Sequence, residues 1–469
     1  MDQKKAPIYE ALSRYVKKRV VKLHVPGHRY GVGLPIELKR LLGKSASFDL
    51  SVLEDIDSLA HPESSIKDAQ ELAAQAFGAD ETLFLVNGST SGVTAIILGV
   101  CSENEEIIIN RNMHQSVVAG LIFSGAKPVY ILPEYDKDFR MFLSVVPEAV
   151  ERAVEDHPKA KAVLITNPTQ FGITANLKRI AEIVHKSGKI LIVDEAWGAH
   201  LNFHPLFPSS ALSSGADIVV QSTHKRLPSL SQTSMIHFKG NRVNREKVKN
   251  AVRMLQTTSS SYILLMSMDL ARRQMALEGK ALWGKVIKLA EEARVQARKA
   301  NLKYLERNYL KRRGFDLDET FLTLITENGF DGWKILNKHR IEPEFASLNQ
   351  IVLIFGIGNN KKDLLPLIQA LKEISSLKPG KKIWELDSEP KVVFSPRQAS
   401  LRAVKRIKIE DAVGEISAEM IVPYPPGIPL LIPGEVITGN IVSYLKELKK
   451  YSSGGMNILG DTEELKVIA

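Results

Sequence analysis

The sequence predicts an α/β fold: a large domain on a doubly wound, mostly parallel sheet, followed by a smaller C-terminal α/β domain. Three observations carry that expectation. Short runs of strand formers alternate with helical patterns between about residues 80 and 240; polar residues gather just after several of those runs; and beyond about residue 280 the pattern gives way to long helical segments and a mixed region. Alternation of this kind implies parallel strands joined by crossover helices, hence a sheet wound on both faces.

Strands are expected at 82–86, 106–110, 128–132, 162–166, 190–194, 217–221 and 234–238, with helices at 64–77, 93–101, 147–155 and 176–186. Asn87, His114, Asn167, Asp194 and Ser222 fall at or just after strand ends, where open α/β sheets hold their ligands. Ahead of the sheet, Ile8, Leu12, Tyr15 and Val16 make an apolar stripe expected to pack on a subunit or on the sheet. The basic stretch 299–313 interleaves Leu302, Tyr304, Leu305, Tyr309 and Leu310 and reads as one amphipathic helix. A strand near 351–355, a helix at 363–374 and a Gly-Lys-rich break at 375–382 complete the smaller domain, and the tail from 452 is expected to fray. The division is therefore 1–60 as an N-terminal arm and entrance segment, 61–300 as the large domain and 301–469 as the small one.

The chain of 469 residues is 44% hydrophobic and 25% charged, which is ordinary globular composition. Its 63 Lys and Arg against 53 Asp and Glu leave a net charge of +10, read as solvated surface because no nucleic-acid-binding motif accompanies it. The single cysteine, Cys101, lies in an apolar run and reads as a buried structural thiol in a reducing compartment. Residues 1–22 are laced with charge, and no run reaches the ~20 apolar residues that span a bilayer, so the expectation is a soluble, cytoplasmic protein with no membrane or nucleic-acid partner.

The chemistry concentrates at Asp194, closing Leu191-Ile192-Val193-Asp194, and at Lys225 in Ser222-Thr223-His224-Lys225 about thirty residues on. That order is the layout of a pyridoxal 5′-phosphate site. A carboxylate at a strand end holds the pyridine nitrogen protonated, and a lysine forms the Schiff base with the aldehyde. Asn87-Gly88-Ser89-Thr90-Ser91-Gly92 stands between a strand and an apolar helix, so its amides and the hydroxyls of Ser89, Thr90 and Ser91 would crown a helix N-terminus and cradle phosphate, with Ser222 and His224 completing the shell. His114 offers a planar ring for stacking; Ala196 is small enough for close approach, and Trp197 or His200 would line the pocket.

Two other patterns are rejected. The stretch 279–285 has the spacing of a nucleotide-binding glycine loop, but Val286 replaces the Ser or Thr and no strand precedes it, so it reads as surface helix. His24 and His28 have the interval of a helical metal pair, yet Pro26 and Gly27 break the helix, and no metal is expected.

Over nearly its whole length the chain resembles the fold-type I ornithine/lysine/arginine decarboxylases in their short bacterial form. The resemblance rests on His24-Val25-Pro26-Gly27-His28, Asn87-Gly88-Ser89-Thr90-Ser91, Arg111-Asn112-Met113-His114, Asn167-Pro168-Thr169 and Asp194-Glu195-Ala196-Trp197-Gly198-Ala199-His200. It continues through Ser222-Thr223-His224-Lys225, Gln256-Thr257-Thr258-Ser259, Ser395-Pro396-Arg397, Tyr424-Pro425-Pro426-Gly427-Ile428-Pro429 and Pro433-Gly434-Glu435. It implies that Lys225 carries the cofactor, Asp194 pairs with the ring nitrogen, His114 stacks on the ring, and Thr90, Ser91, Ser222 and His224 bind phosphate. It also implies a homodimer or higher oligomer in which the Thr257-Thr258 loop reaches the neighbour's phosphate site.

The activity so implied is decarboxylation of a cationic amino acid, with arginine slightly preferred over lysine and ornithine. The acidic stretch Glu54-Asp55-Ile56-Asp57 would attract the distal cation, the alternative being a solvated acidic turn. Leu227-Pro228-Ser229, Gln170, Gln115 and Asp57-Ser58-Leu59-Ala60-His61 depart from the family pattern and bear on substrate identity. The rival readings are an aminotransferase or other lyase on the same fold, and a catalytically altered paralogue serving as a regulatory subunit.

Overall fold

The computed structural model describes residues 1–18, 20–53, 56–326, 328–377, 391–424, 427–450, 457–459 and 463–469. Glu54 and Asp55 of the acidic stretch, Pro425 and Pro426, residues 378–382 of the Gly-Lys-rich break, and residues 452–456 and 460–462 of the tail lie outside the described residues.

The large sheet has seven strands: β1 (Glu81–Leu85), β2 (Glu106–Asn110), β3 (Lys127–Ile131), β4 (Ala162–Thr166), β5 (Ile190–Asp194), β6 (Ile218–Gln221) and β7 (Ser234–Phe238). Their spatial order is β1-β7-β6-β5-β4-β2-β3. From β3 to β6 all neighbours are parallel, while β7 runs antiparallel to both β6 and β1. The central strands are continuous apolar runs because both faces are covered. In β4 and β5, Val163, Ile165, Leu191 and Val193 enter one apolar cluster while Ala162, Leu164 and Ile192 enter the other, which is the period-two alternation of a strand.

Around the sheet lie α1 (Pro7–Val16), α2 (Ser65–Phe77), α3 (Gly88–Val100), α4 (Gln115–Ser124), α5 (Pro147–Asp156), α6 (Leu177–Lys186), α7 (Arg245–Leu255) and the long α8 (Tyr262–Lys299). Helix α3 starts five residues before the expected 93. Gly88 takes φ +74°, a left-handed conformation that turns the chain from strand to helix, so the Ser-Thr-Ser run forms the first turn.

Helix α1 packs on α2 and α8 of its own chain. Asp269 of α8 accepts the Ile8 N–H at 3.0 Å, and Arg272 donates to the carbonyls of Gln3 and Lys5. The basic stretch 299–313 is not one helix: α8 ends at Lys299, Asn301 takes φ +56°, and Lys303–Tyr304 pairs as a strand with Phe321–Ile325 before a short helix at Arg307–Lys311. Within α8, 279–285 is helical as expected, with Lys280, Ala281 and Lys285 exposed, but Gly279 and Trp283 turn into the core. His24 and His28 turn to separate partners, Tyr30 and Asp49.

After residue 300, β8 (Lys303–Tyr304), β9 (Phe321–Ile325), β10 (Phe345–Ala346) and β11 (Gln350–Ile354) form an antiparallel sheet in the order β8-β9-β11-β10. Residues from 391 onward build a further apolar cluster around Ile409, Leu431, Leu445 and Val467. No helix among the described residues is long and apolar enough to cross a membrane.

Candidate active site

A cavity of about 210 Å³ opens beyond the carboxyl ends of β4, β5 and β6. Register aligns Thr166 with Asp194 and Asp194 with Val220, so Asp194 ends a central strand at the cavity floor. Its carboxylate is 3% exposed. One oxygen accepts the Ala196 N–H at 3.1 Å. Burial raises its pKa, against the opposing pull of Lys225 and of that N–H.

Lys225 sits in the helical turn Thr223–Arg226 that follows β6, with Nζ 3.9 Å from the centroid of the Trp197 ring. Burial lowers its pKa while Asp194 and Glu344 oppose the shift. His114 caps α4: its Nδ1 accepts the Ser116 N–H at 3.2 Å and lies 2.9 Å from Ser116 Oγ. Burial, then the charge of Lys225, lowers its pKa to about 4, so the ring is neutral with its proton on Nε2.

Ser89 Oγ and Ser222 Oγ lie 2.7 Å apart, joining the start of α3 to the end of β6. Thr90 and His224 also face the cavity, and His224 donates from Nδ1 to the Thr233 carbonyl at 2.8 Å. Ala196 and Trp197 line it as expected. Ser91 does not: its hydroxyl donates to the Gly88 carbonyl at 2.9 Å, because the first turn of a helix leaves that acceptor within reach.

His200 and Asp57 also depart from expectation. His200 is sealed away from the cavity, with Nε2 2.8 Å from Asp318. Asp57 is consumed as a helix cap, accepting the N–H groups of Ser58, Glu63, Ser64 and Ile66 at 2.9 Å, and is not free to meet a substrate cation. Thr257 and Thr258 are exposed and line a separate cavity of about 290 Å³ with His61, Lys67 and Arg253. Pro228 is accommodated: Leu227 donates to the Thr223 carbonyl at 2.8 Å and Ser229 to the Leu227 carbonyl at 2.8 Å.

Sequence reasoning missed Glu344, Thr166, Asn112 and Ile428 on the cavity wall. Glu344 carries no local motif. Ile428 lay within a quoted motif, and the structure explains that motif together with Arg111. The Arg111 guanidinium grips Glu435 at 3.0 and 2.9 Å and the Pro429 carbonyl at 2.8 Å, while Gln115 N–H reaches the Gly427 carbonyl at 3.0 Å. The C-terminal segment is thereby held beside His114.

The donor set fits pyridoxal phosphate. It offers a half-buried amine for an aldehyde, a buried carboxylate for a ring nitrogen, and hydroxyls at a helix N-terminus for phosphate. The Thr166 hydroxyl, buried on the wall, has no hydrogen-bond partner among the described residues and awaits one.

Fold and site together define a pyridoxal-phosphate enzyme of fold type I. The chain belongs to the Orn/Lys/Arg decarboxylase family, matching its major domain over residues 6–312 and its C-terminal domain over residues 381–454. It is 38% identical over 461 residues to an arginine decarboxylase of Halalkalibacterium halodurans, covering 95% of this chain and 94% of that one. Against an arginine decarboxylase of Bacillus subtilis (strain 168) it is 36% identical over 460 residues, with the same coverage. The lysine decarboxylase of Hafnia alvei is 26% identical, covering 94% of this chain and 74% of that one. Among solved structures, the Francisella novicida lysine decarboxylase LdcF has a TM-score of 0.84 at 23% identity, covering 99% of this chain and 81% of that one, which supports the fold. The protein is a pyridoxal-phosphate-dependent decarboxylase of basic amino acids, a lyase.

Proposed function

We propose that the protein converts arginine, in preference to lysine or ornithine, to the corresponding amine and carbon dioxide. The observation that carries this reading is the cavity in which Lys225, Asp194 and His114 converge at the sheet's strand ends with a second carboxylate, Glu344, on the facing wall. Arginine is put first because the relatives named arginine decarboxylase are 38% and 36% identical, against 26% for one named lysine decarboxylase.

Bound here, pyridoxal phosphate supplies the electron-withdrawing ring that accepts the pair left by departing carbon dioxide. Lys225 would hold it through its aldehyde, Asp194 would keep a proton at the ring nitrogen, the neutral ring of His114 would lie against it, and Ser89, Thr90, Ser222 and His224 would hold the phosphate. Glu344, not Asp57, pairs with the distal cation, since it lines the same cavity as Lys225 and interacts with it electrostatically. Carbon dioxide release from purified protein offered arginine, lysine and ornithine separately tests the reading. The highest kcat/KM is expected for arginine, and a clear preference for either of the others would displace it.

The working unit in this reading is a homodimer, with Thr257 and Thr258 crossing to the neighbour's phosphate. Support comes from their exposure and distance from their own cavity, and from Gln256, whose side chain accepts the Val86 N–H at 2.9 Å and fixes the base of the loop. A subunit altered at Lys225 mixed with one altered at Thr257 and Thr258 should regain activity, up to about half the wild-type value per mixed dimer. No recovery after confirmed subunit exchange would place each site within one chain.

A further inference from the structure

Arg226 follows Lys225 directly, yet its side chain runs away from the cavity into a sealed compartment. Arg226, His200, Asp318, Thr320 and Trp283 are each no more than 4% exposed. Arg226 Nη2 lies 3.5 Å from Asp318 Oδ2 and donates to the Thr320 hydroxyl. Its Nε donates to His200 Nδ1 at 3.3 Å and its Nη1 reaches the Phe355 carbonyl at 3.5 Å. The guanidinium carbon lies 5.3 Å from the Trp283 ring centre and 5.0 Å from that of Phe321. Asp318 is bound in turn by His200 Nε2 at 2.8 Å, by the Thr320 N–H at 3.0 Å and by the Thr320 hydroxyl at 2.7 Å.

The partners come from both halves of the cavity. His200 lies on the segment that leaves β5 past Asp194 and Trp197. Asp318, Thr320 and Phe355 flank β9 and β11 of the second sheet. In that sheet Val352 of β11 pairs with Phe345 of β10 and accepts the Glu344 N–H at 2.9 Å. Covalent backbone and two hydrogen bonds therefore link the seat of Lys225, through Arg226, Phe355 and β11, to Glu344. A buried ion pair is a weak source of stability compared with apolar packing of equal volume, and its best-attested use is to fix one arrangement among several.

We propose that Arg226 is a positioning residue: its pairing with Asp318 sets the span between the seat of Lys225 and Glu344, and so the length of the amino acid that the cavity accepts. The proposal rests on the reading of Glu344 as the partner of the substrate's distal cation.

Arg226→Met retains an apolar stem and removes the fork, while Asp318 keeps its bonds to His200 and Thr320. The purified, cofactor-loaded variant is compared with wild type for kcat/KM on arginine, lysine and ornithine. Discrimination between the best and the worst of the three is expected to shrink about tenfold, the scale on which a pocket sorts chain length. Amide hydrogen exchange without substrate is the second readout. Protection at the Leu227 amide, bonded to the Thr223 carbonyl, and at the Glu344 amide, bonded to the Val352 carbonyl, is expected to fall together while the core strands stay protected. Equal loss on all three amino acids, or unchanged exchange at those two amides, overturns the proposal. A wild type that decarboxylates none of the three would instead sink the substrate reading, and the exchange experiment would still decide the coupling. Should Arg226→Met fail to fold, Arg226→Lys keeps the charge without the fork and carries the same two readouts.

Discussion

The cavity has two walls of different origin. One is the row of strand ends that supplies Thr166, Asp194 and the turn of Lys225, set by a parallel ladder in which a slip of one residue would turn Asp194 to the opposite face. The other arrives from beyond residue 300: Glu344 ahead of β10, and Ile428 on the segment that Arg111 grips. The ladder wall is rigid, buried and chemically reactive. The later wall is joined to it through a few long-range polar contacts. In the function proposed above, reaction type belongs to the first wall and substrate fit to the second, a division that substitutions can break.

The largest effect is expected on the ladder wall. Lys225→Ala should remove all measurable turnover and the cofactor's visible absorbance while leaving the thermal midpoint of the cofactor-free protein nearly unchanged, since the lysine is not part of an apolar core. Retained decarboxylation near the wild-type rate would show that another amine holds the cofactor. Asp194→Asn, isosteric but uncharged, should lower kcat by two to three orders of magnitude, the roughly 3–4 kcal/mol attached to a preorganised electrostatic partner. If kcat survives, the ring nitrogen is served by some other group.

On the later wall, Glu344→Gln should raise KM for arginine about tenfold, close to 1.4 kcal/mol, with kcat nearly kept, because the lost interaction is present in ground state and transition state alike. An unchanged KM with a fallen kcat would move Glu344 into the chemistry and erase the division between the walls.

The last effect concerns stability rather than turnover. His200, at the seam between the walls, and His237, inside the large sheet, have pKa values pulled by burial to about 4 and about 3 from an ordinary 6.5. The folded protein keeps them neutral, so their contribution is whole above the unfolded value and shrinks as pH falls from 6.5 toward the folded values. At pH 5 each should cost about 2 kcal/mol relative to pH 7. Urea unfolding at the two pH values measures the loss, and His237→Gln should recover part of it. A free energy of unfolding unchanged between the two pH values would show that these rings take up protons without unfolding.

The same contrast governs what could be read from the chain. Strands 106–110, 162–166, 190–194 and 234–238 match the observed bounds, because a short β-branched run buried on both faces leaves one reading. That Asp194, Lys225 and His114 would gather at one cavity was legible for a related reason: each stands at or shortly after the end of a central strand. Glu344 was not, because 119 residues separate it from Lys225 and no local pattern betrays which loop folds back. Asp57 was misread because an acid beside a helix start serves equally as cap or as bait, and only the five amides around it decide. The stretch 299–313 was misread because helical spacing persists past Asn301, where the backbone turns left-handed. His200 follows the Asp194 motif closely, yet buried Asp318 draws it to the other side.

The clamp between Arg111 and Glu435 joins positions 324 residues apart in the chain. During synthesis the strand ends, the lysine and the phosphate cradle are all present before the segment that carries Ile428 has been made. Residues 1–300 carry Lys225, Asp194 and the phosphate cradle but neither Glu344 nor Ile428, so the pocket's lining is complete only where segments remote in sequence are joined.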